Sequence, residues 1–396
     1  MKTLKFKTLI VLLSLAFALA GCSAGAGGSG GAEADAEGSG MSAAWAGHQT
    51  GSMELKYADQ FRVDYYEDGI AVISVEDGLS YMVTEDEAGY PEWVPEEDVD
   101  NMTVICAPAQ AVYNAASSAM DLIDAAGALD SVKMTSTQAG DWGIEKIRKL
   151  VEDGTIQYVG KYRAPDYEAL LEGDVDLAIE STMIYHSPQI KEAIEELGIP
   201  VIVERSSYEA DPLGRLEWIK LYGLLFGKEA EAEAFFDEAV AKVEGVDTST
   251  VKEAPSVAFF SVNSNGSVVV RKPGDYVTKM IETAGGTYAL DGITDEEDNA
   301  LSTMNMQMEA FYDKAVDADI LIYNSTIEGG LGNLDELRAL SDKFDDFAAV
   351  RSGNVWCTDS STFQRTTGAA DMIVEMNRIF SGAADDSGME YFHKLK

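Results

Sequence analysis

Cysteine and histidine are scarce in this chain of 396 residues. Three cysteines (Cys22, Cys106, Cys357) and three histidines (His48, His186, His393) are too few and too scattered for a zinc finger, an iron–sulfur cluster or a disulfide scaffold. Positive charge is scarce as well: 29 basic residues face 69 acidic ones, a formal net charge of −40. The field of such a chain repels nucleic acid phosphates and anionic lipid alike, so no nucleic acid partner is expected. Catalytic signatures are missing. There is no nucleophile elbow on a strand-to-helix turn, no H-E-x-x-H pair and no Walker lysine. The acidic stretch 291–298 lacks the alternating ligands and central glycine of a calcium loop and reads as a solvated turn. Neither a cofactor nor a resident metal is expected.

What is present begins with an export signal. Lys2, Lys5 and Lys7 precede the apolar run Leu9–Ala20, and no acidic residue occurs before Glu33. That run is shorter than the roughly 20 residues a membrane span needs, so it reads as a signal peptide over 1–21. Leu19-Ala20-Gly21-Cys22 has the form of a lipobox, which makes Cys22 the lipidated residue and the lipid the only membrane attachment. Residues 22–52 are mostly Gly, Ala and Ser with a few carboxylates; they bury too little apolar surface to offset the entropy of ordering and read as a flexible tether. A charged fraction of 25% and an apolar fraction of 46% mark the remainder as globular.

Residues 53–100 read as a β-meander with an acidic connector. Phe61, Val63 and Tyr65 alternate with polar residues, Asp68-Gly69 and Asp77-Gly78 turn the chain, and Ile70–Val75 and Leu79–Thr84 supply two further strands. From Met102 onward, short β-rich runs alternate with amphipathic helices. MTVICA is expected to open the first sheet, followed by an Ala-rich helix over 110–128, and SVAFFSV, ADILIYN and NVWCT belong to a second set. The fold class is therefore α/β: two mostly parallel-sheet lobes, 101–227 and 247–396, joined by a long spine helix over 228–246, with a ligand cleft between the lobes and a small β-meander in front. Pro212 suits the first turn of the helix before the spine, and Gly227 divides the two.

Each half repeats a pattern in which a glutamate opens a short helix that feeds a buried strand: Tyr167-Glu168-Ala169-Leu170 runs into Asp176-Leu177-Ala178-Ile179, and Met308-Glu309-Ala310-Phe311 into Asp319-Ile320-Leu321-Ile322. Together with the lipobox, the tether and the single joining helix, these segments resemble the helix-spine substrate-binding proteins of ABC importers that serve ferric siderophores, haem and cobalamin. Leu197-Gly198-Ile199-Pro200-Val201, Gly285-Gly286 and Gly353-Asn354-Val355-Trp356 extend the resemblance, which covers residues 101–381. It implies that Glu168 and Glu309 dock on arginines of the importer's permease, and that Arg163, just before the first of these helices, touches the ligand. The implied partners are a small-molecule metal chelate or corrinoid and the permease, with the chain itself a monomer.

Open α/β sheets bind ligands at the carboxyl ends of their strands, which selects the loops that follow each strand. Basic residues there or close by are conspicuous in so acidic a chain: Lys161, Arg163, Arg205, Arg215, Arg271 and Arg365. An arginine fork binds carboxylate, catecholate or hydroxamate oxygens in paired hydrogen bonds, so an anionic metal chelate is a natural ligand. Trp142, Tyr162, Tyr185, Tyr208, Trp356 and Phe363 are the candidate flat walls, Asn324 a candidate polar contact, and His186 a candidate ligand of a haem iron or corrinoid cobalt. Two alternatives stay open at this point: a metal chelatase or reductase on the same fold, and a surface interaction lipoprotein using the meander. Cys106 and Cys357 both fall in strand-like runs and read as separate buried thiols, with a bridge the alternative.

Overall fold

The computed structural model describes residues 44–85, 89–293, 303–326, 329–384 and 388–396. Cys22 and the export signal lie outside them. Alternating aromatic and β-branched residues open the described chain with a five-stranded sheet in sequential order: β1 (Gln49–Ser52), β2 (Phe61–Tyr66), β3 (Ala71–Val75), β4 (Ser80–Thr84) and β5 (Thr103–Cys106). The first four are antiparallel, and β5 returns parallel to β4 after the short helix α1 (Glu96–Val99).

Two corrections follow. The tether does not reach residue 52, because β1 pairs with β2 and Trp45 is 2% exposed, its indole Nε1 donating to Asp98 Oδ2 at 2.8 Å. MTVICA does not open the first lobe; as β5 it closes the accessory sheet. An apolar extended run has the same period whichever sheet it joins, so only the pairing partner decides.

The first lobe is an all-parallel sheet, ordered β10-β9-β6-β7-β8, with β6 (Val112–Asn114), β7 (Val132–Thr135), β8 (Gln157–Tyr158), β9 (Leu177–Ser181) and β10 (Val201–Glu204). Helices α2 (Ser117–Ala125), α3 (Glu145–Glu152), α4 (Tyr167–Glu172) and α5 (Pro188–Glu196) connect the strands. The Ala-rich helix expected over 110–128 is therefore shorter, since Val112–Asn114 is the central strand of this sheet.

Helices α6 (Pro212–Phe226) and α7 (Glu229–Glu244) follow, separated by Gly227 at φ 64°, a left-handed conformation that glycine adopts without the Cβ penalty. α7 lies along α6 and α12 of the second lobe (Ala369–Phe380), which makes it the spine. The second lobe's remaining helices are α8 (Tyr276–Thr283), α9 (Met308–Ala315), α10 (Leu334–Leu340) and α11 (Ala348–Ser352). They pack around a mixed sheet whose parallel strands are β11 (Ser256–Val262), β13 (Thr287–Tyr288), β15 (Ile320–Tyr323) and β16 (Val355–Thr358). Strands β12 (Val268–Arg271), β14 (Thr303–Met306) and β17 (Phe392–Lys394) run antiparallel to their neighbours. Among the described residues no helix is long and apolar enough to cross a membrane.

α6 is buried on nearly every face, against α2 of the first lobe and α8 and α12 of the second. A helix buried all round is ordinarily apolar all round, yet α6 carries Arg215, Glu217 and Lys220. The segment before β2 answers two of these charges. Glu217 accepts from the backbone N–H groups of Lys56, Tyr57 and Ala58 at 2.8–3.0 Å and pairs with Lys220 at 3.1 Å. Lys220 in turn donates to Glu54 O at 2.9 Å. Glu209, just ahead of α6, accepts from the N–H groups of Asp59 and Gln60 at 3.0 and 3.1 Å and from Trp218 Nε1 at 2.8 Å. The accessory sheet is thereby clamped to the helix core, and Phe61 of β2 meets Trp218 edge-on with ring centroids 4.8 Å apart.

Glu217→Ala leaves three N–H groups without their acceptor and removes the buried partner of the Lys220 ammonium, so it should lower stability by about 3–5 kcal/mol, with Glu217→Gln losing less. Urea denaturation of the three proteins measures this, and equal midpoints would show the clamp to be energetically idle.

Candidate functional site

Besides the packing of α6, the stretch 359–367, which follows β16, bonds the second lobe to the first. Gln364 accepts from the Gly143 N–H at 2.8 Å and donates through Nε2 to Asp141 O at 2.9 Å. Thr367 donates its N–H and its hydroxyl to Asp121 Oδ2 on α2 at 2.8 and 2.6 Å, and Thr366 Oγ1 donates to Ser118 O at 3.3 Å. The approach requires glycine at 143, where a Cβ would sit 2.5 Å from Ser361 Cβ.

Beside this bridge, α6 and the second lobe border a small cavity of about 20 Å³, lined in part by Arg215, Tyr276, Met280, Phe363, Arg365 and Met372. The Arg215 guanidinium lies over the Tyr276 ring at 3.9 Å, and that of Arg271 approaches the same ring at 5.3 Å. Arg271 also pairs with the buried Asp275 at 3.6 Å, and Arg365 bonds to Glu390 and lies 5.5 Å from the Tyr391 ring. Phe363 is 44% exposed at the cavity's edge. Of the residues selected from the sequence, Arg215, Arg271, Arg365 and Phe363 are thus brought together. Tyr276, around which two of the arginines gather, gives no sequence signal beyond opening a helix.

The other candidates lie elsewhere, and three are corrected outright. Trp142 is 3% exposed and donates to Thr137 O at 3.3 Å; Trp356, equally buried within β16, donates to Asn354 Oδ1 at 3.1 Å. Both are core. Asn324 is buried and spends its Oδ1 on the N–H and hydroxyl of Thr326 at 3.3 and 2.8 Å, holding its own loop. Tyr185, Arg205 and Tyr208 form a group at the border with the accessory sheet. The Tyr185 hydroxyl bonds to Asp77, Arg205 Nη2 donates to Gln60 Oε1 at 3.2 Å, and the Arg205 guanidinium stacks on Tyr208 at 4.4 Å. His186 is exposed beside them. Tyr162 and Arg163 pair with each other on an exposed loop, Nε to hydroxyl at 2.7 Å, while Asp166 caps α4 through the Ala169 N–H at 3.1 Å. Glu168 and Glu309 stand exposed in the first turns of α4 and α9, Glu309 with Lys343 Nζ 3.7 Å away. Cys106 and Cys357 lie on different sheets with no disulfide between them, and burial pushes Cys357 up to about 11.

One group went unselected. Glu180, at the carboxyl end of β9, is fully buried, and among the described residues neither carboxylate oxygen has a hydrogen-bond partner. Burial pushes it up to about 8, and its charge adds to the burial that raises the Tyr113 and Tyr167 phenols. Its sequence signal is a carboxylate inside the apolar run VDLAIES. Glu204 ends β10 in the same way but is satisfied, accepting from Ser206 N at 2.8 Å and Ser118 Oγ at 3.0 Å. Among the described residues no group of three His, Cys, Asp or Glu side chains stands close enough to hold a metal ion.

Two α/β lobes, a spine helix and a cleft between strand ends define a two-lobed solute receptor. A profile of the periplasmic binding protein family matches residues 115–362, more than half the chain, and the chain belongs to that family. It is 26% identical over 281 residues to an uncharacterized lipoprotein of Methanocaldococcus jannaschii, a match spanning 69% of this chain and 65% of that relative. Among solved structures it is similar to a periplasmic haem-binding protein from Pseudomonas aeruginosa (TM-score 0.57, 17% identity, 72% of this chain and 98% of that one). It is also similar to the petrobactin-binding protein YclQ of Bacillus subtilis (TM-score 0.54, 18% identity, 69% and 91%). The family is one of extracytoplasmic substrate-binding proteins, and at these identities the structural likeness carries the fold alone.

Two measurements test the geometry. Gly143→Ala should force the 359–367 stretch off the first lobe, read as faster hydrogen exchange at the Thr367 amide; unchanged exchange would mean the contact yields elsewhere. Glu180 holds its proton longer folded than unfolded. Stability should be full below the ordinary value of 4.5, fall as pH rises toward about 8 and stay low above that. Glu180→Gln should flatten this part of the curve and recover on the order of 3–5 kcal/mol at alkaline pH. A wild-type slope retained in the variant would assign it to other groups.

Proposed function

We propose that this chain is an extracytoplasmic solute-binding lipoprotein, anchored through Cys22, that captures an iron complex (siderophore or haem) or a corrinoid and delivers it to an ABC importer. It acts as a monomer and binds its cargo without transforming it. The observation that carries the reading is the pair Glu168 and Glu309. Each is exposed in the first turn of a helix that leads into a buried strand, one per lobe, so the two lobes offer a partner the same acidic contact twice. A permease presenting two arginines would meet both at once.

Further support comes from the crevice. In a chain of net charge −40, Arg215 and Arg365 line a small cavity beside the interlobe bridge and Arg271 approaches the Tyr276 ring in its wall, which suits an anionic chelate. Lipid attachment is favoured by the Leu19–Cys22 motif and by the M. jannaschii relative, itself a lipoprotein. The ligand class is favoured by the names of similar structures, one binding haem and another petrobactin.

The test separates docking from capture. Glu168→Ala with Glu309→Ala should leave affinity for the cargo unchanged, followed by tryptophan fluorescence against ferric hydroxamate, ferric catecholate, haem and cobalamin, while uptake by cells falls at least tenfold. Undiminished uptake rules the docking pair out.

A further inference from the structure

Glu180 shares a face of the first sheet with the helix that carries Glu168. Alternation along β9 puts it on the side of Ala178, where Leu170 of α4 packs with Tyr113, Met134 and Ala178 in a small core of its own and Tyr167 and Ala169 lie against them. Glu180 is completely buried there, and among the described residues neither of its oxygens has a hydrogen-bond partner. Tyr113 of β6 and Tyr167 of α4 are the titratable groups that feel its charge, with Tyr158 beyond Tyr113. Burial alone lifts its own carboxyl to about 8; no charged side chain of α4, α5, β6, β9 or β10 adds to that shift. A neutral carboxyl without a partner is costly in such a place, and an ionised one far more so.

The segment that covers it, residues 160–174, is lightly fastened. Among the described residues every hydrogen bond of this segment stays within 159–175, including Asp166 N–H to Val159 O at 2.8 Å, Ala164 N–H to Lys161 O at 2.7 Å and Val175 N–H to Leu170 O at 3.2 Å. α4 is six residues long, and Leu170 is its one fully buried side chain. A left-handed residue stands at each end of the segment, Gly160 at φ 96° and Asp174 at φ 48°. Such points absorb the backbone change when a stretch of chain moves as a unit. What holds the segment down is therefore the apolar packing of Tyr167, Ala169 and Leu170 over a buried acid.

We propose that residues 160–174 are a pH-sensitive latch, closed over Glu180 while its carboxyl holds a proton and released when the carboxyl ionises and is hydrated. The proton passes to solvent as the segment lifts, and reclosing takes one back. The latch stands on this geometry; its role, control of the helix that presents Glu168, rests on the receptor reading above. Opening should be independent of pH below the ordinary value of 4.5, rise about tenfold per pH unit from there, and level off above about 8. Docking is then supported at acidic and neutral pH and withdrawn as the medium turns alkaline.

Amide hydrogen exchange on the full-length chain in detergent, between about pH 5.5 and 7.5, reads the latch directly. Base catalysis by itself speeds exchange about tenfold per pH unit, so the amides of residues 170–173 should gain about a hundredfold per unit and those of α9 in the second lobe only the tenfold. Glu180→Gln should return α4 to the tenfold slope and leave α9 unchanged. A hundredfold slope in both helices of the wild type would mean that Glu180 is reached only when the whole chain unfolds, and a tenfold slope in both that α4 is indifferent to it. Either result overturns the latch without using any variant.

For the docking role, cells carrying the wild type or Glu180→Gln are given labelled haemin, cyanocobalamin, a ferric tris-hydroxamate and a ferric catecholate at about pH 6 and about pH 8.5, on either side of the expected release. Uptake of one of the four should fall at least threefold further on alkalinisation with the wild type than with Glu180→Gln. An equal fall in the two overturns the docking role and leaves the receptor reading standing. No uptake of any of the four removes the receptor reading and the docking role with it, while the exchange slopes decide the latch by themselves.

Discussion

The burial of α6 is the constraint on which the rest of the structure depends. This helix touches the first lobe, the second lobe, the spine and the accessory sheet, and it does so while carrying charges where a buried helix would ordinarily carry none. Glu217 and Glu209 gather five successive backbone N–H groups from residues 56–60, and Lys220 closes the arrangement on Glu54. Each partner would be costly alone: an extended segment with unsatisfied donors, or carboxylates without counterions in the core. Together they fix the accessory sheet to the helices. The family match begins at residue 115, after that sheet, so in this chain the family core has its innermost helix completed by residues the family profile does not contain.

The same reasoning separates Arg215 from its neighbours. Glu217 and Lys220 lie two and five residues further along α6 and are answered by the protein; Arg215 lies where the helix faces Tyr276 of the second lobe, and its Nε has no hydrogen-bond partner among the described residues. The bridge at 359–367 has a related character. Its hydrogen bonds join backbone groups, amides and hydroxyls, with the one carboxylate of Asp121 taking two donors. Contacts of that kind exchange readily for water, which suits two lobes that must admit a ligand between them.

Much of the architecture is legible in the chain because it depends on local period. The βα alternation, the division at Gly227, the helix opened by Pro212 and the paired helix–strand units all follow from patterns a few residues long, and each lies where the pattern puts it. The misplacements share one cause. Thr103–Cys106 is a strand in either reading, but its partner strand, Ser80–Thr84, pairs with it 22 residues away and its own sequence does not name it. Gln49–Ser52 has the composition of a tether and becomes a strand only because β2 is there to pair with it. The antiparallel strands β12, β14 and β17 are only three or four residues long, too short for a period to show.

The site divides along the same line. Residue chemistry alone selected arginines and aromatics near strand ends, because a −40 chain that binds an anion must concentrate its few cations, and that reasoning needs no coordinates. It could not tell Trp142 and Trp356, which turn inward, from Phe363, which turns outward, since an aromatic residue beside a strand end serves either purpose. Nor could it distinguish Arg215 from Arg271 and Arg365. Whether a buried charge has a partner depends on which side chains distant parts of the chain bring within about 4 Å, and that is a property of the tertiary structure alone.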